Sequence, residues 1–396
     1  MLADLLVWAM LIPVVVGSLY LVVSLPVVIA FCRRAHRPVE MDAGSGLPVT
    51  ILKPVCGPER ELQANLESAC RLDYPEYQVL ISAQDPSDPA VVAAREVQRR
   101  FGAARVSVAV TNRRVGPNGK VNNLAGALSR ARHDVLVISD SDVRLRPDYL
   151  RALLAPLADP DVAGSCTLFM ARGARRWFER IELLTINADF VPGVIFAHVT
   201  GLSRFCVGSS LALRRSALQS IGGFESLGDY LVEDYEIGRR IWSAGRRLAV
   251  VPYFVETTLD VPSPSHWWKH QVYWDQNTWA ARPAAFFATL LMRSVPFACL
   301  FALGRLGDGL GLSVLAVALL VRLGTAAVTL RWGLRDREGL RSLALLPARD
   351  VLGLVWWGLA MTKRTVVWRG AEYALSADGR LVPHAQGVKE RARANV

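Results

Sequence analysis

His133–Tyr149 reads HDVLVISDSDVRLRPDY. It opens on a run of apolar residues, Val135-Leu136-Val137-Ile138, as a parallel strand buried on both faces does. It stops at Asp140-Ser141-Asp142, two carboxylates one residue apart at the strand's C-terminal end. Ligands of open α/β sheets bind at that edge. Side chains at i and i+2 of an extended chain point the same way, so such a pair is placed to grip one hard cation or one metal diphosphate. A strand closed by an Asx turn explains the triplet alone equally well, and the rest of the chain has to decide.

Upstream, strand and helix patterns alternate. Residues 47–54 read as a first strand, Glu59–Cys70 as a helix, Tyr77–Ala83 as a second strand, 88–101 as a second helix and Val106–Val110 as a third strand. That spacing is the signature of βαβ units and a parallel sheet. The second strand runs into Asp85, so two strands end in acid. Between them Gly116–Asn123, GPNGKVNN, is a turn opening a helix, where a glycine, a lysine and a helix N-terminus suit a phosphate.

Downstream, the pattern predicts a helix near 147–157, a strand at Ala163–Met170 and a mixed helix over Arg172–Asp189 suited to a membrane surface. Phe205–Arg215 reads as a strand that starts on small residues, fit for close approach of a ligand. Glu233-Asp234 head a helix running through Trp242. Acids belong in a first helical turn on dipole grounds, and a carboxylate in a cleft is also what a general base for a hydroxyl requires. Trp267–Trp274, WWKHQVYW, is either an aromatic core helix or an interfacial belt.

Hydrophobic residues make up 52% of the 396-residue chain and concentrate at its two ends, the pattern of a membrane protein with a soluble middle. The net charge of +11 invites nucleic acid, but the chain carries no zinc-finger spacing, RNP-like motif or recognition helix. Arginines beside membrane segments and around a pyrophosphate account for it. Six cysteines without CxxC spacing suggest free thiols in a reducing compartment. Residues 5–31 are uncharged, long enough to cross a core of ~30 Å, and followed by Arg33, Arg34 and Arg37, which predicts a signal anchor with the following domain on the cytoplasmic face. Residues 285–303, broken by Arg293 and Pro296, read as interfacial or re-entrant, 308–330 and 343–362 as transmembrane, and 363–396 as a basic tail. The arginines at 331–341 and the basic residues Lys363, Arg364 and Arg369 ask for opposite arrangements of these helices.

Taken in order, Asp85, Asp140-Ser141-Asp142, Glu233-Asp234 and a basic, aromatic stretch closing on Trp274 resemble processive and lipid-directed inverting glycosyltransferases. The closer resemblance is to the ceramide glucosyltransferase family (glycosyltransferase family 21), which includes hopanoid-associated glycosyltransferases of bacteria. It is carried by ILKPVCGPERELQANLES, LDYPEYQVLISAQDPSDPA, NGKVNNLAGAL, DSDVRLRPDYL, GSSLALRRSALQSIGGF and YLVEDYEIGRR, and covers roughly residues 48–280. The resemblance implies an α/β domain of GT-A type (Rossmann-like), residues 47–284, flanked by transmembrane helices and binding a UDP-sugar. Asp85 would meet the uridine, Asp140 the ribose or a metal, and Lys120 and Asn123 the nucleotide side. Asp142 would hold Mg²⁺ or Mn²⁺ on the diphosphate, and Asp234 would be the catalytic base. Glu233, His270, Gln271 and Trp274 would border the acceptor and the leaving diphosphate. One position departs from the family pattern: Tyr273 stands where an arginine is usual, and it offers no charge to the diphosphate.

An inverting transfer is one in-line displacement, needing a base, a metal and no enzyme nucleophile. The expected reaction is transfer of a hexose, glucose first, to a ceramide-like or hopanoid-like lipid hydroxyl. A polysaccharide synthase and a non-catalytic sugar-nucleotide or lipid binder are the alternatives. The small membrane part speaks against the first, and retention of Asp234 against the second.

Overall fold

The computed structural model describes residues 2–40, 46–202, 206–362, 365–368, 371–376 and 379–383. Its centre is a mixed sheet of eight strands: β1 (Val49–Pro54), β2 (Tyr77–Ala83), β3 (Val106–Val110), β4 (Val135–Ser139), β5 (Val143–Arg144), β6 (Val162–Arg172), β7 (Ser210–Arg214) and β8 (Arg247–Thr258). Their order is β3-β2-β1-β4-β7-β6-β8-β5. The first four run parallel, β7 is antiparallel to both β4 and β6, and β6 pairs in parallel with β8. Every residue of β1, β2 and β4 is buried, as their apolar runs require. Helices Leu62–Cys70 and Pro89–Phe101 pack on one face of this parallel half, and Gly119–Ala127 on the other.

The helix expected from Glu59 starts at Leu62, because Glu61 takes a left-handed backbone (φ 61°) and interrupts it. The strand expected at Phe205–Arg215 is confined to β7, its last residue opening a helix Arg215–Ser220; Phe205 itself lies outside the described residues. Arg172 belongs to β6 rather than to a helix. The helix that follows starts at Trp177 and continues past Asp189 through a π-turn, Ile186–Phe190, to Val199.

Among the described residues, four helical segments are long and apolar enough to cross a membrane: Asp4–Ala35, Trp177–Val199, Gly309–Gly333 and Arg337–Thr362. The segment 285–303 is a pair of helices, Pro283–Leu291 and Ser294–Gly304, bent by 49° where Arg293 separates them. Large apolar side chains stay exposed along the first and third segments, among them Leu5, Trp8, Ile12, Leu19, Leu312 and Leu320, the surface that lipid would cover.

Residues 363–396, read from the sequence as a basic tail, include among the described residues three short strands: β9 (Thr365–Trp368), β10 (Ala371–Leu375) and β11 (Leu381–Pro383), paired antiparallel. Lys363, Arg364 and Arg369 lie outside the described residues. This small sheet docks beside the soluble domain: Leu231 N donates to Gly379 O (3.2 Å), and Leu381 N to Asp229 O (2.7 Å).

Candidate active site

β1 pairs in parallel with both β2 and β4, so the C-terminal ends of all three lie side by side. Asp85, just beyond β2, and Asp140 with Asp142, just beyond β4, therefore share one rim of the sheet, as the strand order implies for a ligand edge. Asp85 is exposed, and Ser87 donates to its Oδ1 from Oγ (2.6 Å) and N (2.8 Å), which holds the carboxyl below its usual range.

The turn after β4 rests on a buried lysine. Lys53 in β1 donates from Nζ to the carbonyls of Asp140 (2.7 Å) and Val143 (3.0 Å). Burial lowers its pKa to about 8, although Asp142, Asp140 and Glu59 pull the other way. Ser141 Oγ donates to Glu59 Oε1 (2.9 Å), and Glu59 Oε2 is buried with no hydrogen-bond partner among the described residues. Burial, then the charges of Asp140 and Glu59, push the Asp142 carboxyl up to about 7, and Lys53 and Lys120 offset only part of this. Carboxylates crowded together with too little positive charge suit a divalent cation. Among the described residues no group of three acids, histidines or cysteines converges on one point. A cation here would thus draw the rest of its shell from a diphosphate and water, as Mg²⁺ commonly does.

Opposite the rim, Asn118 caps the helix Gly119–Ala127. Its Oδ1 accepts from the amides of Lys120 (3.0 Å) and Val121 (3.2 Å), and its Nδ2 donates to Tyr230 O (2.9 Å) and Glu233 Oε2 (3.1 Å). Lys120 is thereby aimed into the acids, its Nζ 2.7 Å from Asp140 Oδ1, 3.0 Å from Glu233 Oε1 and 3.3 Å from the Gly208 carbonyl. Burial works against its charge, but Asp140, Glu233 and Asp234 outweigh burial and hold it well above the ordinary lysine range. Asn123 faces β1 and donates from Nδ2 to Val55 O (3.0 Å), leaving its buried Oδ1 without a partner among the described residues.

Asp234 opens the helix Glu233–Ser243. Its Oδ1 accepts from Tyr235 N (2.8 Å) and its Oδ2 from Gly208 N (2.7 Å). Burial and the neighbouring Glu233 raise its pKa to about 6, Lys120 and the two backbone bonds holding it from going higher. The small residues before β7 were expected to admit a ligand; what approaches Gly208 is the Asp234 carboxylate itself.

The aromatic stretch lies on the helix Pro264–Ala281. His270 Nδ1 is 2.8 Å from Glu182 Oε1, and Trp274 Nε1 donates to His270 Nε2 (3.0 Å), so both ring nitrogens are occupied. Gln271 is buried and accepts from Thr185 Oγ1 (3.3 Å). Tyr273 stacks on His270 with ring centroids 6.1 Å apart. Its phenol is pushed up by burial and further by Glu233 and Asp234, which places it within reach of the acid cluster's field. Of the residues expected from the sequence, the fold brings together Asp140, Asp142, Lys120, Glu233 and Asp234. Asp85 lies on the same rim, bonded to Ser87, and Gln271 is bonded to Thr185. Lys53 and Glu59 lie outside the expected site, and their one local signal is a lysine inside an otherwise apolar strand; Asn118 and Gly208 fall in the two stretches read as suited to a phosphate or a ligand, where neither residue has an expected role of its own.

A parallel β-α half sheet with acids along its C-terminal rim, extended by a mixed half and by a helix that brings a further acid to the same cleft, defines a GT-A glycosyltransferase domain. The fold is similar to that of the mannosyltransferase PcManGT from Pyrobaculum calidifontis, solved with GDP-Man and Mn²⁺ (TM-score 0.52, 18% identity, 89% of this chain and 98% of that one). The chain belongs to glycosyl transferase family 21, whose profile matches residues 8–381. It is 30% identical to ceramide glucosyltransferase 1 of Caenorhabditis elegans over 222 residues, 55% of this chain and 46% of that protein. It is 22% identical to ceramide glucosyltransferase 3 of the same animal over 359 residues, 88% of this chain and 77% of that one. The first of these matches thus spans less than half of its relative's length.

Proposed function

We propose that the protein is an inverting glycosyltransferase that moves a hexose from a UDP-sugar to the hydroxyl of a membrane lipid, ceramide-like or hopanoid-like. The observation that carries this reading is the position of Lys120, bonded at once to Asp140 on the donor rim and to Glu233 beside Asp234. One ammonium thus ties the acids suited to a metal diphosphate to the acid suited to a base. Asp234, with a pKa of about 6, is ionised at neutral pH and basic enough to take the proton of an attacking hydroxyl. As the acceptor oxygen bonds to the anomeric carbon, the electrons of the sugar–phosphate bond leave with UDP. Lys120 and the amide end of the helix it starts face the developing charge. Asp142 and Asp140 would hold Mg²⁺ or Mn²⁺, which supplies Lewis-acid stabilisation of the diphosphate. Asp85 and Asn123 serve the nucleotide in this reading. His270 and Trp274, locked to each other and to Glu182, form the acceptor wall together with Tyr273.

The same reading places the catalytic domain on the cytoplasmic face, on three crossings: 4–35, the bent pair 283–304 and 309–333. His36 Nε2 lies 2.7 Å from Gly333 O, so the first and last of these end together, and Trp8 packs on Phe301 (5.8 Å) near the other end. Both arginine groups, 33–37 and 331–341, then fall on one side, as the positive-inside rule asks. The segment 337–362 begins beside β6, where Glu338 accepts from Gly173 N, and hands over to Thr365, whose carbonyl accepts from Gln276. In this reading it starts and ends on the catalytic side and lies along the membrane surface, and the bent pair crosses, the reverse of the arrangement expected for 343–362 and 285–303 from the sequence.

The test is UDP release by the purified protein in lipid, with UDP-glucose, UDP-galactose or UDP-GlcNAc, with and without Mn²⁺ or Mg²⁺, over ceramide, diacylglycerol and hopanoid acceptors. Metal-dependent release with one lipid, abolished in Asp234→Asn, is the expected result. UDP binding with no lipid-stimulated release from any pair would sink the reading.

A further inference from the structure

A cavity of about 200 Å³, lined by both basic and apolar side chains, shares no lining residue with the acid cleft. It lies where the helical segments 4–35 and 309–333 both end, with Ala35 and His36 on one side, Leu334 and Arg335 on another, and residues of β6 and β8 on a third. Arg146, Arg172, Arg335 and His36 line it, against one carboxylate, Glu256. Asp336 and Asp148, just outside the lining, offset Arg172 and Arg146, which leaves the Arg335 guanidinium as the uncommitted positive charge at the cavity among the described residues.

The cations are not equally spent. Arg172 is met by Glu256 (3.4 Å) and Asp336 (3.1 Å), and Arg146 by Asp148 (3.3 Å) and the Tyr253 hydroxyl (3.0 Å). His36 keeps its Nε2 on the Gly333 carbonyl. Arg335 is exposed, and no ion pair or hydrogen bond engages its guanidinium among the described residues. It also holds a left-handed backbone, φ 55°, which any residue with a Cβ adopts at a cost and glycine adopts freely. An arginine at a position that suits glycine, aimed at a cavity already rich in arginine, contributes nothing to the fold that the structure records.

The location identifies a source of anions for it. The exposed apolar surface of 4–35 and 309–333 stops at this level, and exposed Arg33, Arg34, Arg37 and Trp332 take over, the arrangement of a membrane–water boundary. We propose that the cavity binds the phosphoryl group of an anionic membrane lipid from the leaflet in which both helices end. Guanidinium forks match phosphate oxygens in pairs, and an anionic leaflet supplies such groups at this depth. This site goes beyond the proposed transfer reaction and does not depend on it.

The full chain in phosphatidylcholine nanodiscs, titrated with phosphatidylglycerol and read by native mass spectrometry, tests the proposal. Wild type should retain phosphatidylglycerol, and Arg335→Gly and Arg146→Gln should each bind it about tenfold more weakly. Arg335→Gly should melt no lower than wild type, because glycine relieves the backbone; a loss of lipid with an unchanged or higher melting temperature separates binding from folding. Equal retention by wild type and both variants, or none by wild type, overturns the proposal. Displacement of the lipid by millimolar inorganic phosphate would reassign the site to a free phosphate and overturn the lipid source.

Discussion

The Gly208 amide donates to Asp234 Oδ2 over 2.7 Å, and a Cβ built on Gly208 would lie only 2.7 Å from that same oxygen. The glycine is thus both the orienting donor of the proposed base and the gap into which the base fits. Gly208→Ala should push the carboxylate out of place and lower kcat by about 100-fold, since displacements near 1 Å cost that much in an aligned reaction. Donor binding, measured by calorimetry with UDP, should change little. Retained turnover in the alanine variant would remove Asp234 from the role of base.

Asp234 has a pKa of about 6, raised from 3.8 chiefly by burial. A base works in its ionised form, so kcat/KM should be flat above pH 7 and fall about tenfold per unit below pH 6. A lipid-dependent transfer assay across pH 5–9 reads this limb directly. A midpoint near pH 4 would place the base elsewhere.

Lys120 stands between Asp140 and Glu233. Lys120→Gln leaves those two acids with no shared counter-charge, so the KM for the UDP-sugar should rise about tenfold or more. The KM for the lipid should stay within about twofold, because the lysine faces the donor rim. Equal rises in both would show a general loss of fold.

Lys53 is buried at the foot of the turn that carries Asp140 and Asp142. Lys53→Met keeps the volume but strands the carbonyls of Asp140 and Val143, a loss of about 2–4 kcal/mol. Denaturation of the detergent-solubilised protein should show it. The requirement for added Mn²⁺ or Mg²⁺ should shift to higher concentration in the same variant.

Leu381 of β11 packs with Leu231 and Val366 beside Tyr273, next to the segment that leads into Glu233-Asp234. Leu381→Asp buries a charge there and should undock the small sheet. The expected signature is a drop in kcat larger than the change in the KM for the UDP-sugar, since the sheet packs on the segment leading to the base and on Tyr273 of the proposed acceptor wall. An unchanged kcat in a protein whose C-terminal strands have become protease-sensitive would assign the sheet to packing alone.

Local pattern made a large part of this protein legible. The apolar runs of β1, β2 and β4 and the alternation with helices led to the parallel half of the sheet, and the placement of Asp85 and Asp140 on one rim followed from it. β8 escaped notice: Arg247–Thr258 is only half-buried and carries Pro252 and a polar end, so no clean period marks it. β9–β11 escaped because their short lengths and basic surroundings resemble a tail.

The sequence by itself determined the identity of the acids, the strands that end in them and the apolar segments at both ends, because each is encoded by spacings of two to four residues along one element. Tertiary structure alone decided which acids meet. Asp140 and Glu233 belong to elements 93 residues apart in the chain, and only the antiparallel return of β7 beside β4 brings them to one ammonium. The same holds for Lys53, whose charge in a buried strand is met by two carbonyls of the turn after β4 and by the acids around it, and for Arg335, which lines a cavity built from several elements. Periodicity records which face of an element is apolar. It carries no record of which distant backbone group will satisfy a buried charge, because that depends on strand order and register.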